Sequence, residues 1–592
     1  MNEFQVKEAF YLNGKPFQIL SGAIHYFRIP RAYWEDSLYN LKAMGFNTVE
    51  TYIPWNIHEP DEGVFDFSEQ YDVAAFVRLA QQMGLWVILR PTPFICAEWE
   101  FGGLPAWLLN YKDMKVRTNT PLFLDKVDRY YRRLFEEIEP LQITCGGPVL
   151  MMQVENEYGS FGNDKDYLRA IVGIMRKYHV TVPLFTSDGA WDAALEAGSL
   201  IEDGVLPTGN FGSRSDENLD AMERFLQRHG KTFSLMCMEF WDGWFNRWGE
   251  KIIRRDAEDL AQEVKTLLKR ASINLYMFQG GTNFGFMNGC SARGERDLPQ
   301  ITSYDYDAVL TEWGAPTEKF YKIQKVIQQL FPDIPTFPPR DRARTAYKPA
   351  VQNGRVSLDA CKEQLTQVQQ SVYPMTMEQA GRGYGYMLYE TEVLGFGQEM
   401  KLKIPQAADR VQIFLNGTHI ATQYQEQIGE EVYAVFPEGY SKLQVLVENL
   451  GRVNYGYKLH APSQSKGIRT GVMVDIHFES QWKNYALTLQ DCSKIEFNGM
   501  WEPDTPAFYR YTFDVDEVQD TFLDCSTLGK GVVFLNGRNI GRYWKIGPVQ
   551  SLYLPGAWMQ AGKNELIVFE TEQTCPDELH FSVQPIYCTN AE

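Results

Sequence analysis

Eight apolar, β-rich runs recur along the first 330 or so residues, and a stretch with helical spacing follows each of them. The runs cover 17–26, 48–55, 86–94, 149–158, 183–189, 205–212, 234–243 and 273–283. The helical stretches cover 33–44, 72–83, 122–139, 165–178, 190–198 (the shortest), 216–229, 256–270 and 317–331. Few folds accept this pattern. Apolar runs with little alternation suit strands covered on both faces, as in a parallel sheet. Eight strand–helix units close into a (β/α)8 TIM barrel. The rival is a doubly wound open sheet, which usually carries a Gly-rich phosphate turn after its first strand; Ser21-Gly22-Ala23-Ile24-His25 is not one.

In a barrel, chemistry gathers at the C-terminal ends of the strands. The polar residues sit there: His25; Asn56, His58 and Glu59; Glu98 and Glu100; Asn156 and Glu157; Asp188; Asn210; Glu239 and Asp242; Asn283. The proline-dense segment 331–339 closes the barrel. Beyond it the sequence turns β-like, and three blocks repeat about 120 residues apart: 385–393 with 507–515, 411–420 with 531–540, and 443–448 with 565–570. Asn416-Gly417 and Asn536-Gly537 each stand between alternating apolar runs, the signal of a type I′ hairpin. The expectation is a multidomain chain: a TIM barrel (1–331), a linker (332–380) and two all-β, jelly-roll-like sandwich domains (381–482 and 483–592), the second free to recruit strands from 345–380. Such modules more often brace a neighbour than bind sugar.

The formal net charge of −19 argues against nucleic acid and anionic membrane as partners. No apolar run is long enough to span a membrane, and the first residues carry no secretion signal. The nine cysteines lack CxxC spacing and the eight histidines lack an HExxH motif, so no metal site and no cofactor are expected. Reduced thiols and a cytoplasmic setting are expected instead. His25 and His58 are expected as hydrogen-bonded residues at the site rim.

The stretch 149–159 begins as a buried strand and ends in Glu155, Asn156 and Glu157. Carboxyls at such a position need a partner or a purpose. A lone acid, Glu239, follows the four apolar residues 235–238 of the seventh run. The ends of strands four and seven face each other across a barrel mouth. Two carboxyls there can flank one sugar ring, one protonating the leaving oxygen and the other attacking the anomeric carbon. Spacing alone does not choose between Glu155 and Glu157.

The segments 21–26, 50–60, 94–107, 153–159, 276–285 and 302–308 closely resemble the family 35 glycoside hydrolases, which are retaining β-galactosidases. The resemblance implies Glu157 as general acid/base and Glu239 as nucleophile. It implies that Asn156 donates to the sugar 2-OH. It gives Tyr52, the backbone of Cys96 and Ala97, the Glu98 carboxylate and Tyr306 the task of holding galactose hydroxyls. Tyr276 would touch the nucleophile and Trp244 would form an aromatic wall. Glu155 and Glu100 would brace the site. Lysosomal relatives pair the cysteine equivalent to Cys96 in a disulfide, whereas the loop 160–167 here has no cysteine. The chain most resembles compact bacterial enzymes that act on short β-1,3-linked galactosides. The expected partner is therefore a galactoside, with a homodimer as the candidate assembly. Two other readings remain open: another sugar (β-glucosaminidase or arabinopyranosidase), and a non-catalytic galactoside-binding protein. Retention predicts carboxyls about 5–5.5 Å apart.

Overall fold

The structure is a computed structural model and describes residues 2–91 and 93–589. Eight parallel strands close a barrel: β1 (Leu20–Ile24), β2 (Thr48–Tyr52), β3 (Trp86–Arg90), β4 (Val149–Gln153), β5 (Leu184–Gly189), β6 (Leu206–Phe211), β7 (Met236–Trp241) and β8 (Ser272–Gln279). Pairing runs in sequence order, and β8 returns to β1 through Ile273↔Leu20 and Asn274↔Ser21. The strands are buried almost throughout, which is why they read as continuous apolar runs. Around them lie α1 (Trp34–Ala43), α2 (Val73–Gln82), α3 (Pro121–Ile138), α4 (Lys165–Lys177), α5 (Asp192–Gly198), α6 (Ser215–Arg228), α7 (Ala257–Leu268) and α8 (Glu318–Leu330). Each helix falls within a residue or two of its expected span. Asp72, Asp164 and Asp256 accept hydrogen bonds from free backbone N–H groups at the starts of α2, α4 and α7, which fixes where those helices begin.

The stretch 332–380 is not a linker along its whole length. β9 (Ala350–Ser357) and β10 (Gln369–Ser371) join the sheets of two different all-β units. The first unit carries β11 (Tyr386–Gly395), β12 (Arg410–Leu415), β13 (Thr418–Tyr424), β14 (Gly439–Glu448) and β15 (Trp482–Leu487), in the order β10-β15-β11-β14-β12-β13. The second carries β16 (Ala507–Val515), β17 (Lys530–Leu535), β18 (Arg538–Trp544), β19 (Gly562–Glu570) and β20 (Glu578–Leu579), in the order β18-β17-β19-β16-β9-β20. The four-strand core β11-β14-β12-β13 of one sheet has its counterpart in β16-β19-β17-β18 of the other, as the repeat predicts. Both hairpins turn at Asn-Gly with positive φ at each residue (50° and 84°; 49° and 80°), the I′ geometry.

These two sheets are apolar on both faces. Met387, Tyr389, Val445 and Val447 face the core of the first unit, while Tyr509, Val533, Leu566 and Val568 face the core of the second. The alternate residues Leu388, Leu446, Phe508, Phe534 and Phe569 meet in a third cluster between the units, which also takes Phe286 from the barrel. No helix among the described residues is long and apolar enough to cross a membrane.

Candidate active site

A cavity of about 310 Å³ opens at the C-terminal ends of the barrel strands. Of the residues to which the resemblance gave a catalytic or sugar-binding part, all but Tyr52 line it: Cys96, Ala97, Glu98, Asn156, Glu157, Glu239, Trp244, Tyr276 and Tyr306. Glu157 and Glu239 thus share one chamber. A further cavity, about 430 Å³, lies between the two all-β units, but its Asp359, Lys442 and Gln444 hydrogen-bond one another.

The two carboxyls meet opposite surroundings. Three donors bond Glu239. Arg90 Nη2 lies 2.7 Å from Oε1, the Tyr52 hydroxyl 2.6 Å from the same oxygen, and Trp241 Nε1 3.2 Å from Oε2. Glu157 receives one weaker donor, Asn210 Nδ2, at 3.2 Å. Burial, and then the charge of Glu239, push the Glu157 carboxyl well above the ordinary range. The two carboxyls therefore differ in surroundings: donors and a buried cation crowd Glu239, while Glu157 is held towards its protonated form.

Tyr52 is fully buried behind Glu239. Its hydroxyl lies within reach of both Glu239 and Asn156 Oδ1, at 2.6 and 2.8 Å, so it orients the Glu239 carboxyl and does not present itself to the cavity. Tyr276 shares the cavity with Glu239 and feels its charge, but its hydroxyl lies 3.2 Å from that of Tyr304 and, among the described residues, makes no hydrogen bond to Glu239. Asn156 Oδ1 accepts from Arg90 Nη2 and Gln153 Nε2, both at 2.9 Å, and its Nδ2 donates to the Ile95 carbonyl at 3.1 Å. Nδ2 carries a second hydrogen that can serve a ligand.

The turn Cys96-Ala97-Glu98 puts three successive non-glycine residues at positive φ (57°, 49° and 48°). Strain of this kind persists only where surrounding contacts enforce it. Arg28 Nη2 holds the Ala97 carbonyl at 2.5 Å, and the Glu98 carbonyl accepts from the Gly289 N–H at 2.9 Å. The Tyr304 hydroxyl donates to the Glu98 carboxyl, which burial raises to about 7. Trp244 and Tyr306 form the opposite wall, tied by a 2.9 Å bond from the Trp244 N–H to the Tyr306 carbonyl.

Glu155 turns away from the cavity. Arg117 clamps it with two bonds of 2.9 Å, and the Tyr167 hydroxyl adds a third. Glu100 accepts from Arg452 Nη1 at 2.6 Å. Both are braces. His25 and His58 are fully buried and do not stand at the rim; burial drives His58 down to about 4, leaving it neutral between Tyr26 and the Asp66 carbonyl. Among the described residues no group of three or more His, Cys, Asp or Glu could hold a metal ion.

Several residues of the chamber were not anticipated. Arg90 ends β3 as a lone charge after an apolar run, and that signal was available in the sequence. Trp241 lies two residues past the nucleophile. Asn454 and Tyr455 come from the first all-β unit, and nothing in their local sequence marks them as cavity residues.

Residues 9–330 match the profile described as glycosyl hydrolases family 35. The chain belongs to glycosyl hydrolase family 35. As a member of that family it is a glycoside hydrolase, and its two further regions fit: 374–488 matches "Beta-galactosidase, first all-beta domain", and 506–564 matches "Beta-galactosidase, galactose-binding domain". Among its relatives, the human protein named Beta-galactosidase-1-like protein 2 is 39% identical over 97% of this chain and 90% of its own length. A Xanthomonas manihotis protein named Beta-galactosidase is 38% identical over 92% and 90%. Beta-galactosidase 1 of Dictyostelium discoideum is 36% identical over 96% and 91%.

Proposed function

We propose that this family 35 hydrolase is a retaining exo-β-galactosidase that removes terminal β-galactose from short oligosaccharides by double displacement. The observation that carries the proposal is the pairing of Glu157 and Glu239 in one chamber with opposite surroundings. Glu157 gives its proton to the glycosidic oxygen while a Glu239 carboxylate oxygen attacks the anomeric carbon. Once Glu239 is an ester its charge is gone, the hold on the Glu157 proton weakens, and Glu157 takes a proton from the incoming water. Asn156 Nδ2 and the Glu98 carboxyl are placed to bind ring hydroxyls. The names of the relatives support galactose as the sugar.

The test is release of nitrophenol from a panel of aryl β-glycosides. Hydrolysis should be fastest with the galactoside and fall by ~10⁴-fold or more in Glu239→Gln. Equal rates on the glucosaminide or arabinopyranoside would reject the sugar assignment, and an active Glu239→Gln would reject the mechanism. Within the same proposal the linkage is β-1,3. Product analysis on β-1,3-, β-1,4- and β-1,6-galactosyl disaccharides checks it, with the first cleaved fastest.

A further inference from the structure

Behind the nucleophile lies a second carboxylate with no role in the two-residue mechanism. Glu50 projects from β2 and is fully buried. Its Oε1 lies 3.7 Å from Arg90 Nη1, and neither atom has a hydrogen-bond partner among the described residues. The other face of the guanidinium is fully used. Nη2 bonds Glu239 at 2.7 Å and Asn156 at 2.9 Å, Nε bonds Gln153, and the plane lies 3.9 Å from the centre of the Tyr52 ring. Glu50 Oε2 accepts from Asn274 Nδ2 at 3.3 Å. Glu50, Arg90 and Glu239 therefore form a line in which one buried cation stands between two carboxyls, bonded to one and poised towards the other.

The proposed double displacement, on which this inference rests, changes the charge of that line. A Glu239 carboxylate oxygen forms a bond to the anomeric carbon as the bond from that carbon to the glycosidic oxygen breaks. The departing oxygen keeps the electron pair and takes the Glu157 proton. Glu239 ends as an uncharged ester, while Arg90 remains a buried cation. Such a cation without a counter-charge is costly. We propose that Glu50 is a positioning residue whose carboxylate takes over Arg90 when Glu239 is esterified, and so stabilises the covalent intermediate. The unmade bond between Nη1 and Oε1 is the contact that closes. Burial and the Glu239 charge both disfavour the ionised form of Glu50, and esterification removes the second of these.

A 2-fluoro-β-galactoside with a dinitrophenyl leaving group separates the half-reactions in the full-length enzyme, because it accumulates the ester. Inactivation reports formation of the ester and reactivation reports its hydrolysis. In Glu50→Gln, inactivation should slow by about tenfold or more while reactivation is unchanged or faster. Glu50→Asp keeps the charge and should recover part of the difference. If Glu50→Gln does not accumulate as folded protein, Glu50→Asp alone should show the same change of ratio at smaller size. A defect in packing alone slows both half-reactions together. That result, or wild-type rates for both, overturns the inference. If intact mass shows no ester on the wild type, the double-displacement reading itself fails, which is a distinguishable outcome.

Discussion

At the scale of single residues, the site works by giving chemically identical groups different neighbours. Glu157 keeps its proton because burial and the Glu239 charge oppose ionisation. In its proposed role as the acid it must be protonated, so kcat/KM for a galactoside with a poor leaving group should fall as pH rises through its raised value. In Glu157→Gln that alkaline limb should vanish and the rate should drop by about 10²–10⁴-fold, with dinitrophenyl galactoside much less affected. An alkaline limb that survives in the variant would assign it to another group. Asp242 makes a separate prediction about stability. It is fully buried, both side-chain oxygens lack hydrogen-bond partners among the described residues, and burial raises its carboxyl to about 8. The folded chain keeps this proton between pH ~4 and 8, whereas the unfolded chain has lost it. Its contribution is thus complete below pH ~4 and declines as pH rises, at up to about 1.4 kcal/mol per pH unit. Asp242→Asn should melt close to wild type at pH 5 and above it at pH 8.5, as thermal midpoints at the two values will show. The choice of Glu157 over Glu155 was beyond the spacing of the sequence, because it depends on Arg117, from the loop before α3, and Tyr167, in the first turn of α4, occupying one of the two.

At the scale of elements, the loops after β7 and β8 seat the Tyr304–Tyr306 segment, and glycine lets them approach. A Cβ at Gly243 would lie 1.8 Å from the Tyr306 carbonyl oxygen, and one at Gly280 would lie 1.6 Å from that of Tyr304. Gly243→Ala should displace the Trp244–Tyr306 wall, raise KM for the galactoside by tenfold or so, and destabilise by about 1–3 kcal/mol. Gly173, exposed in α4 with nothing near its missing Cβ, is the control. Its change to Ala should stabilise by up to ~1 kcal/mol, seen as a higher thermal midpoint, and leave KM alone. An unchanged KM in Gly243→Ala would mean that the loop yields without moving the wall. The barrel strands and helices were legible because strands buried on both faces carry largely apolar runs and helices packed on them carry an apolar stripe. β9 and β10 were legible only as an allowance for strands within 345–380, because they are largely polar and the strands they pair with lie more than 100 residues away.

At the scale of the whole molecule, the barrel and the all-β units form one ion-paired body. Lys530 pairs with Glu448 at 2.7 Å and Arg410 with Glu572 at 2.7 Å, joining the two β units. Tyr33 on the barrel donates to Asp520 at 2.6 Å. Arg452 is the most committed of these links. It is fully buried on the first β unit, reaches Glu100 of the barrel at 2.6 Å and also pairs with Glu378. Glu100 belongs to the loop that continues from the strained turn at Cys96–Glu98, and Asn454, two residues past Arg452, donates to Cys96 Sγ at 3.3 Å. The first β unit therefore holds one wall of the catalytic chamber from outside the barrel. Arg452→Met leaves two buried carboxyls unpaired and should destabilise by about 3–5 kcal/mol. Adding Glu100→Gln and Glu378→Gln removes the stranded charges and should restore most of the thermal midpoint. If Arg452 only glues two domains together, the triple variant recovers activity along with stability. If the link also sets the turn, the triple variant melts near wild type yet keeps a raised KM for the galactoside, and measuring both quantities on the same preparation decides between them.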